Sequence, residues 1–373
     1  MNVRRFGVGL AAGSLVLAIA LTGCGKAGES GGGGTAGGGG TAGAETGKIA
    51  LLLPETKTAR YEAADRPYFE AKFKQLCSGC EILYSNASQD SAKQQQQAEA
   101  ALTKGVKVMV LDPVDGKAAA SIVAKAAQQG VKVVSYDRLT QGPVDAYVSF
   151  DNERVGKLQG EALLKALGDK AKTGNVVWIN GDPTDNNASL FKKGAHSVLD
   201  GKVTVGKEYD TPQWSPDNAQ REMEQAITAL GKDSIVGVYA ANDGTAGGAI
   251  AAMKGAGFSP LPPVTGQDAE LAAIQRILAG EQYMTIYKAI KPEAELTAQI
   301  AYNLLTGKSA FDGVTAPQST VKNDTKDVPS ALLTPVVVTK DNVKDTVIKD
   351  GFHKASDICT GAYAQACTQA GIS

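Results

Sequence analysis

Nine side chains able to hydrogen-bond or to stack recur in one kind of place along this chain, just past short apolar runs. Arg60 and Tyr61 follow KIALLL, Asp137 and Arg138 follow VVSY, and Asn187 follows VVWIN. Trp214 follows VTVGKEYD, Asn242 follows IVGVYA, Asp268 follows VTG, and Lys288 follows MTIY. Asp185, Asn186, Asp243 and Gln267 stand beside them. Asp, Asn and Arg each carry paired acceptors or donors that bridge neighbouring hydroxyls. The aromatic rings offer faces to the C–H side of a pyranose. The set suits a polyhydroxylated ring. A phosphate would call for a Gly-rich turn or a basic cluster. Past the Gly-rich stretch no GxGxxG occurs, GxxxxGK[ST] occurs nowhere, and Gly307-Lys308-Ser309 has Tyr302 where that motif needs its first Gly.

Each residue also has a purely structural reading. Asp151, Asn186 and Asp243 suit helix N-caps. Asp112-Pro113 suits a turn, Trp214 a core position, and Arg138 a surface ion pair. One such residue decides nothing, but about eight at strand ends in both halves point to one shared crevice. Catalysis has less support. The two histidines are His196, inside the helical stretch FKKGAHSVLD, and His353, near the end and away from the crevice. There is no HExxH, no GxSxG and no metal-ligand cluster, so no enzyme, metal or cofactor is expected. A pair of the aspartates would also fit a glycosidase, but aspartates serve equally as hydroxyl acceptors.

The elements that must position these groups are legible as a rhythm. β-rich runs start at Lys48, Glu81, Val106 and Val131, spaced by 33, 25 and 25 residues. A second series starts at Gly174, Val203, Ser234 and Pro262, spaced by 29, 31 and 28. Between them lie Ala-, Lys- and Gln-rich stretches ending at Gly, the composition of helices. Such alternation predicts parallel sheets with helices on both faces. The fold class expected is α/β, with two doubly wound Rossmann-like domains joined by a multi-strand hinge. Residues 47–150 with 290–330 form the first lobe, 151–289 with 331–358 the second, and 359–373 a tail. The stretch DNVKDTVIKDG is expected to be helical.

Composition narrows the partners. Lys and Arg total 38 against 39 Asp and Glu, a net charge of −1, which advertises no nucleic acid. Residues 1–23 read as an export signal: Arg4 and Arg5, fifteen apolar residues from Phe6 to Ala20, then small residues. Leu21-Thr22-Gly23-Cys24 resembles a bacterial lipobox, which implies cleavage before Cys24 and lipidation of its sulfur. Residues 24–46 are Gly-rich, a flexible tether reaching roughly 25 Å. The expected location is extracytoplasmic, lipid-anchored to the outer face of the cell membrane. Cys77, Cys80, Cys359 and Cys367 remain, and the short loops favour Cys77–Cys80 and Cys359–Cys367 as disulfides. A redox CxxC or a zinc site is the alternative.

Together the stretches VVSYDR, YVSFDNERVGKLQGEAL, DPTDNNASLFKKGA, NDGTAGGAIAAMKGAG, GQDAELAAIQRILAGEQYMTIYK, VPSALLTP and KDTVIKDGFHK resemble the type I periplasmic sugar-binding proteins of ABC importers. The resemblance runs from about residue 48 to 358. It implies two lobes joined by three crossings and a monosaccharide clamped between them. Contacts are implied at Arg60, Asp137, Arg138, Asn187, Trp214, Asn242, Asp268 and Lys288. The partners implied are a membrane permease and its ATPase, with a monomeric receptor. A sensor delivering its liganded form to a signalling receptor would look the same. Where the member it resembles most carries a Trp after the first-loop Arg, this chain has Tyr61, and a smaller ring there would shift preference among aldopyranoses. The CSGC insertion and the C-terminal tail lie outside the family pattern.

Overall fold

The computed structural model describes residues 46–372. The export signal, Cys24 and nearly all of the tether lie outside the described residues. The first lobe begins with β1 (Lys48–Leu53), α1 (Arg66–Leu76), β2 (Glu81–Asn86), α2 (Ser91–Thr103), β3 (Val108–Leu111), α3 (Ala120–Gln128), β4 (Lys132–Tyr136) and β5 (Ala146–Phe150). The helices start and stop where the sequence punctuates them. Asp90 caps α2 by accepting from Lys93 N at 3.0 Å, and Gly105, at φ 77°, closes that turn.

The chain then builds the second lobe with α4 (Asn152–Leu167), β6 (Asn175–Asn180), α5 (Asn186–Leu199), β7 (Thr204–Asp210), α6 (Pro216–Leu230), β8 (Ile235–Ala240), α7 (Asp243–Gly255), α8 (Leu271–Ala279) and β9 (Met284–Tyr287). It returns through α9 (Ile290–Leu305), β10 (Gln318–Lys322) and β11 (Asp327–Leu333), then crosses again to β12 (Val336–Thr339). Three strands of chain therefore link the lobes, after β5, after β9 and after β11.

The first sheet has the order β10-β11-β5-β4-β3-β1-β2, parallel except for the β10–β11 hairpin. Its inner strands β1, β3, β4 and β5 are buried along almost their whole length because both faces are covered. Ile49, Leu51 and Leu53 of β1 pack with Phe69 and Phe73 of α1 and Ala298 of α9. Ala50 and Leu52, on the opposite face, pack with Ala98 of α2 and Ile122 of α3. The second lobe repeats the plan with a parallel sheet β7-β6-β8 and a separate antiparallel pair, β9–β12. Val176 and Trp178 face one cluster and Val177 and Ile179 the other.

Several expectations need correction. The strand expected at Pro262 is a single bridge, Val238 with Val264, because Pro260, Pro262 and Pro263 carry no N–H for a ladder. The stretch DNVKDTVIKDG gives one wide turn at Lys344–Ile348 instead of a regular helix. The β10–β11 hairpin was not anticipated, and Leu333 still pairs with Phe150, so the first sheet runs past residue 330. Cys77–Cys80 and Cys359–Cys367 are disulfides in the structure. Cys367 and Ile372 of the tail join Ile358 and, from α8, Ile277 and Leu278 in one apolar cluster.

Candidate functional site

Parallel strands send their carboxyl ends to one edge of each sheet, and here the two edges face each other. Between them lies a small cavity. Arg60, Tyr61, Asp137, Arg138, Asn187, Trp214, Asn242, Asp268 and Lys288 all line it. Asp185 and Gln267 join them, as do Thr58 and Phe191, which the sequence did not single out.

The first-lobe wall is ionic. Arg60 Nε and Nη2 donate to Asp65 Oδ2 and Oδ1 at 3.0 and 2.7 Å, a two-pronged pair. Nη2 also donates to Glu293 Oε2 at 2.9 Å, and Nη1 lies 2.6 Å from Asp137 Oδ2. Arg138 Nε lies 3.0 Å from Asp185 Oδ2 and 3.6 Å from Asp112 Oδ1, with Glu55 Oε1 3.8 Å from Nη2. Arg138 Nη2 donates to the Tyr61 hydroxyl at 3.2 Å. All of these side chains are buried, so each charge needs a partner. Burial pushes Asp137 upward, but Arg60, Lys288 and Arg138 outweigh it and hold its carboxyl below the usual range. Burial, reinforced by Asp137, drives Glu293 well above its usual range, against the pull of Arg60.

The second-lobe wall is built from helix caps and turns. Asp185 caps α5 by accepting from Asn187 N at 2.8 Å, and its Oδ2 also accepts from Trp214 Nε1 at 3.1 Å. Asn242 caps α7 by accepting from Thr245 N at 2.9 Å, and Thr245 Oγ1 accepts from Asn242 N at 3.2 Å in return. Capping thus falls to Asp185 and Asn242 rather than to Asn186 and Asp243, while Asp151 does cap α4. Asp137, Trp214 and Asp268 sit at φ 51°, 51° and 90°, the left-handed region that costs L-residues energy and clusters at working sites. Gly181 is required beside Trp214, because a Cβ there would lie 2.0 Å from the indole.

The lobes are closed on one another. Asn187 Nδ2 donates to Asp137 Oδ1 at 3.0 Å, Lys57 Nζ to Gln213 Oε1 at 3.0 Å, and Gln89 Nε2 to Asp182 Oδ2 at 3.3 Å. Gly116 N reaches Thr184 O at 3.4 Å. Facing the cavity, Gln267 Oε1 and Asp268 Oδ1 are buried without a hydrogen bond, although Lys288 Nζ lies 3.2 Å from the latter. Lys288 also lies 5.9 Å from the Phe191 ring centre. Acceptors, donors and aromatic faces thus converge on one small volume, an arrangement that holds a ring of hydroxyls by paired hydrogen bonds.

The sequence reading missed the layer behind the arginines. Glu55, Asp65, Asp112 and Glu293 are buried; Glu55 and Asp112 stand just past β1 and β3, where the strand-end signal could have found them, whereas Asp65 and Glu293 stand at no strand end. Asp112-Pro113 is no mere turn, and Arg138 is no surface ion pair. His353 is not remote either: its Nε2 lies 2.7 Å from the carbonyl of Ala269, next to Asp268. His196 stacks on Trp178 with ring centres 4.2 Å apart, outside the cavity. Among the described residues no cluster of His, Cys, Asp and Glu has metal-binding geometry.

The chain has clear relatives. The family profile described as periplasmic binding protein domain matches residues 49–309. The D-xylose-binding periplasmic protein of Escherichia coli is 41% identical over 317 residues, covering 83% of this chain and 92% of that protein. The multiple sugar-binding periplasmic receptor ChvE of Rhizobium radiobacter is 34% identical over 335 residues, with 84% and 93% covered. An ABC transporter solute-binding protein from Clostridium phytofermentans, solved with bound β-D-glucose, superposes with a TM-score of 0.77 at 29% identity. That match covers 83% of this chain and 99% of that one.

Proposed function

The chain belongs to the periplasmic binding protein domain family, and on that premise we propose that its cavity holds an aldopyranose, D-xylose first, for delivery to a membrane permease. The protein is the sugar-binding component of an ABC importer, a non-enzymatic receptor. The observation that carries the D-xylose reading is the convergence of all nine expected residues on one cavity, in a chain 41% identical to a named D-xylose-binding protein. The contacts are assigned to Arg60, Tyr61, Asp137, Arg138, Asn187, Trp214, Asn242, Asp268 and Lys288. Tyr61 favours a second reading, a hexose such as glucose. Its hydroxyl is engaged by Arg138, and a single ring leaves more room than the indole that the family resemblance implies at this place.

The two lobes alternate between open and closed, and sugar stabilises the closed form only through its differential contacts. Moving a population from 1:99 to 99:1 takes about 5.5 kcal/mol. A few charge-assisted hydrogen bonds at about 1.5–3 kcal/mol each meet that requirement. The anchoring reading completes the picture: a receptor lipidated at Cys24, held outside the cell membrane on a Gly-rich tether, working as a monomer beside its permease and ATPase. Its support is the sequence pattern of residues 1–46. Among the described residues no helix is long and apolar enough to cross a membrane.

A thermal-shift series with pentoses and hexoses tests the ligand. A sugar at 100 times its Kd adds about 2.7 kcal/mol of stability. A shift with D-xylose alone supports the first reading, and a larger shift with D-glucose the second. No shift with any sugar overturns both.

A further inference from the structure

One carboxylate outside the cavity lining gathers hydrogen bonds that join the lobes beside it. Asp182 stands just past β6 and is 4% exposed. Its Oδ1 accepts from Thr184 N at 2.8 Å and from Thr184 Oγ1 at 2.6 Å. Its Oδ2 accepts from Gln213 N in its own lobe, and from Gln89 Nε2 of the first lobe at 3.3 Å. All four partners are donors and none is a cation. A carboxylate has two acceptor oxygens and no donor, and here both oxygens are used.

Two further bridges across the cleft end on residues that Asp182 holds. Lys57 Nζ donates to Gln213 Oε1 at 3.0 Å, and Gly116 N to Thr184 O at 3.4 Å. The first-lobe donors come from three separate loops, after β1, β2 and β3. On the second lobe they converge on Asp182 and its two hydrogen-bonded neighbours. The bridges are unequal. Lys57 is exposed, so water competes for its bond. Gln89 meets a buried carboxylate, and a hydrogen bond to a charged group is the stronger kind. Gln89 Oε1 is buried without a hydrogen bond, so Nε2 is the part of that amide that closure uses.

Asp182 also fixes the turn that carries Trp214. Gln213 and Trp214 sit at φ 61° and 51°, and such a pair persists only where its surroundings hold it. Gln213 N is held by Asp182, and Thr211 N donates to Gly181 O at 3.2 Å. The loop after β6 therefore clamps the turn after β7 by its backbone, while Gly181 lies against the indole.

We propose that Asp182 is a positioning residue for sugar retention, a hub outside the cavity that fixes the Trp214 turn within its own lobe and, through Gln89, holds the cleft shut. The proposal rests on the receptor reading above. Gln89 and Asp182 belong to different lobes, so their bond breaks on opening. It stabilises the closed form and leaves the open form as it was. Sugar enters and leaves through the open form. The bond therefore slows release and leaves capture unchanged.

The test is stopped-flow measurement of sugar capture and release at neutral pH, with D-xylose and with D-glucose. The proteins compared are wild type, Gln89→Met, Gln89→Glu and Asp182→Asn. Methionine keeps the length of the side chain without its donor. Glutamate keeps the shape and sets a second carboxylate against Asp182 only when the cleft closes. Release is expected to quicken about tenfold in Gln89→Met and further in Gln89→Glu, with capture within about twofold of wild type in both. A purely structural role for Gln89 would neither rank these variants by charge nor spare capture. Asp182→Asn turns one acceptor oxygen into a donor among donors. It is expected to lose about a hundredfold in affinity, part of it through slower capture as the Trp214 turn loosens. Release from Gln89→Glu no faster than from wild type, or wild-type affinity in Asp182→Asn, overturns the hub while leaving the receptor reading intact. If no protein binds either sugar, the sugar reading falls, and X-ray scattering of the unliganded proteins reads the hub alone. Gln89→Glu is then expected to be more expanded than wild type, and identical profiles overturn the proposal.

Discussion

The two walls of the cleft meet the same ligand volume with opposite constructions. On the first lobe, Arg60 has three carboxylates within 3 Å, from Asp65, Asp137 and Glu293. On the second, Asn242 and Trp214 carry no charge and are held by a helix cap and by one hydrogen bond to Asp185. The ionic wall is stiff because each charge is compensated by the next, and the removal of one strands the others. The amide and indole wall is fixed by local backbone geometry, and its members act more independently. Binding and folding are therefore entangled on one wall and separable on the other.

The widest gap between the walls is expected from Arg60→Met. It leaves Asp65, Asp137 and Glu293 buried around an apolar chain, and breaking a buried pair from one side costs about 3–5 kcal/mol. Denaturant unfolding should show that loss together with the absence of sugar binding. A variant as stable as wild type would break the comparison.

Asn242 offers the contrast. Asn242→Ala removes the acceptor for Thr245 N and should cost about 1 kcal/mol of stability. Asn242→Asp keeps the cap, so its stability should stay within about 0.5 kcal/mol of wild type. Its affinity should still fall by about tenfold, because a donor is replaced by a carboxylate close to Asp268. Equal stability losses in the two variants would show that the cap is not what holds this wall.

The smallest effect is expected outside both walls, at His196. Its ring hydrogen-bonds Asp200 and Glu208 at 2.7 and 3.2 Å. Burial lowers its basicity, but those two bonds outweigh it and raise the ring above its usual value. The raised histidine contributes stability at acid pH that fades as pH climbs through its folded value. His196→Asn should remove that slope, an effect under about 1 kcal/mol, without touching sugar affinity. An affinity change there would extend the site beyond the two walls.

The second wall was far more legible in the sequence than the first. Asn187, Trp214, Asn242 and Asp268 come directly after strand-like runs, and a parallel strand must deliver the residues at its carboxyl end to the ligand edge. Asp137 and Arg138 were found for the same reason. Two of the acids that compensate the arginines, Asp65 and Glu293, were not, because they sit at no strand end: Asp65 lies in a wide turn before α1 and Glu293 in the first turn of α9. Asp112 does follow β3 directly, but with Pro113 after it the residue reads as a turn. Phe191 is an ordinary apolar residue of α5 until the fold turns it toward Lys288.

From the sequence alone came the alternation of strands and helices, the two halves, the disulfide pairs and the residues at the strand ends. Those are local properties: periodicity says which face is buried, and parallel pairing says which end carries the ligand loops. The tertiary structure decided what lies opposite each buried charge. Glu293 meets Arg60 across 233 positions of chain, and Asn187 meets Asp137 only because the lobes close. Charge compensation in a low-dielectric interior depends on distances of a few ångströms, and no local pattern of residues encodes those distances.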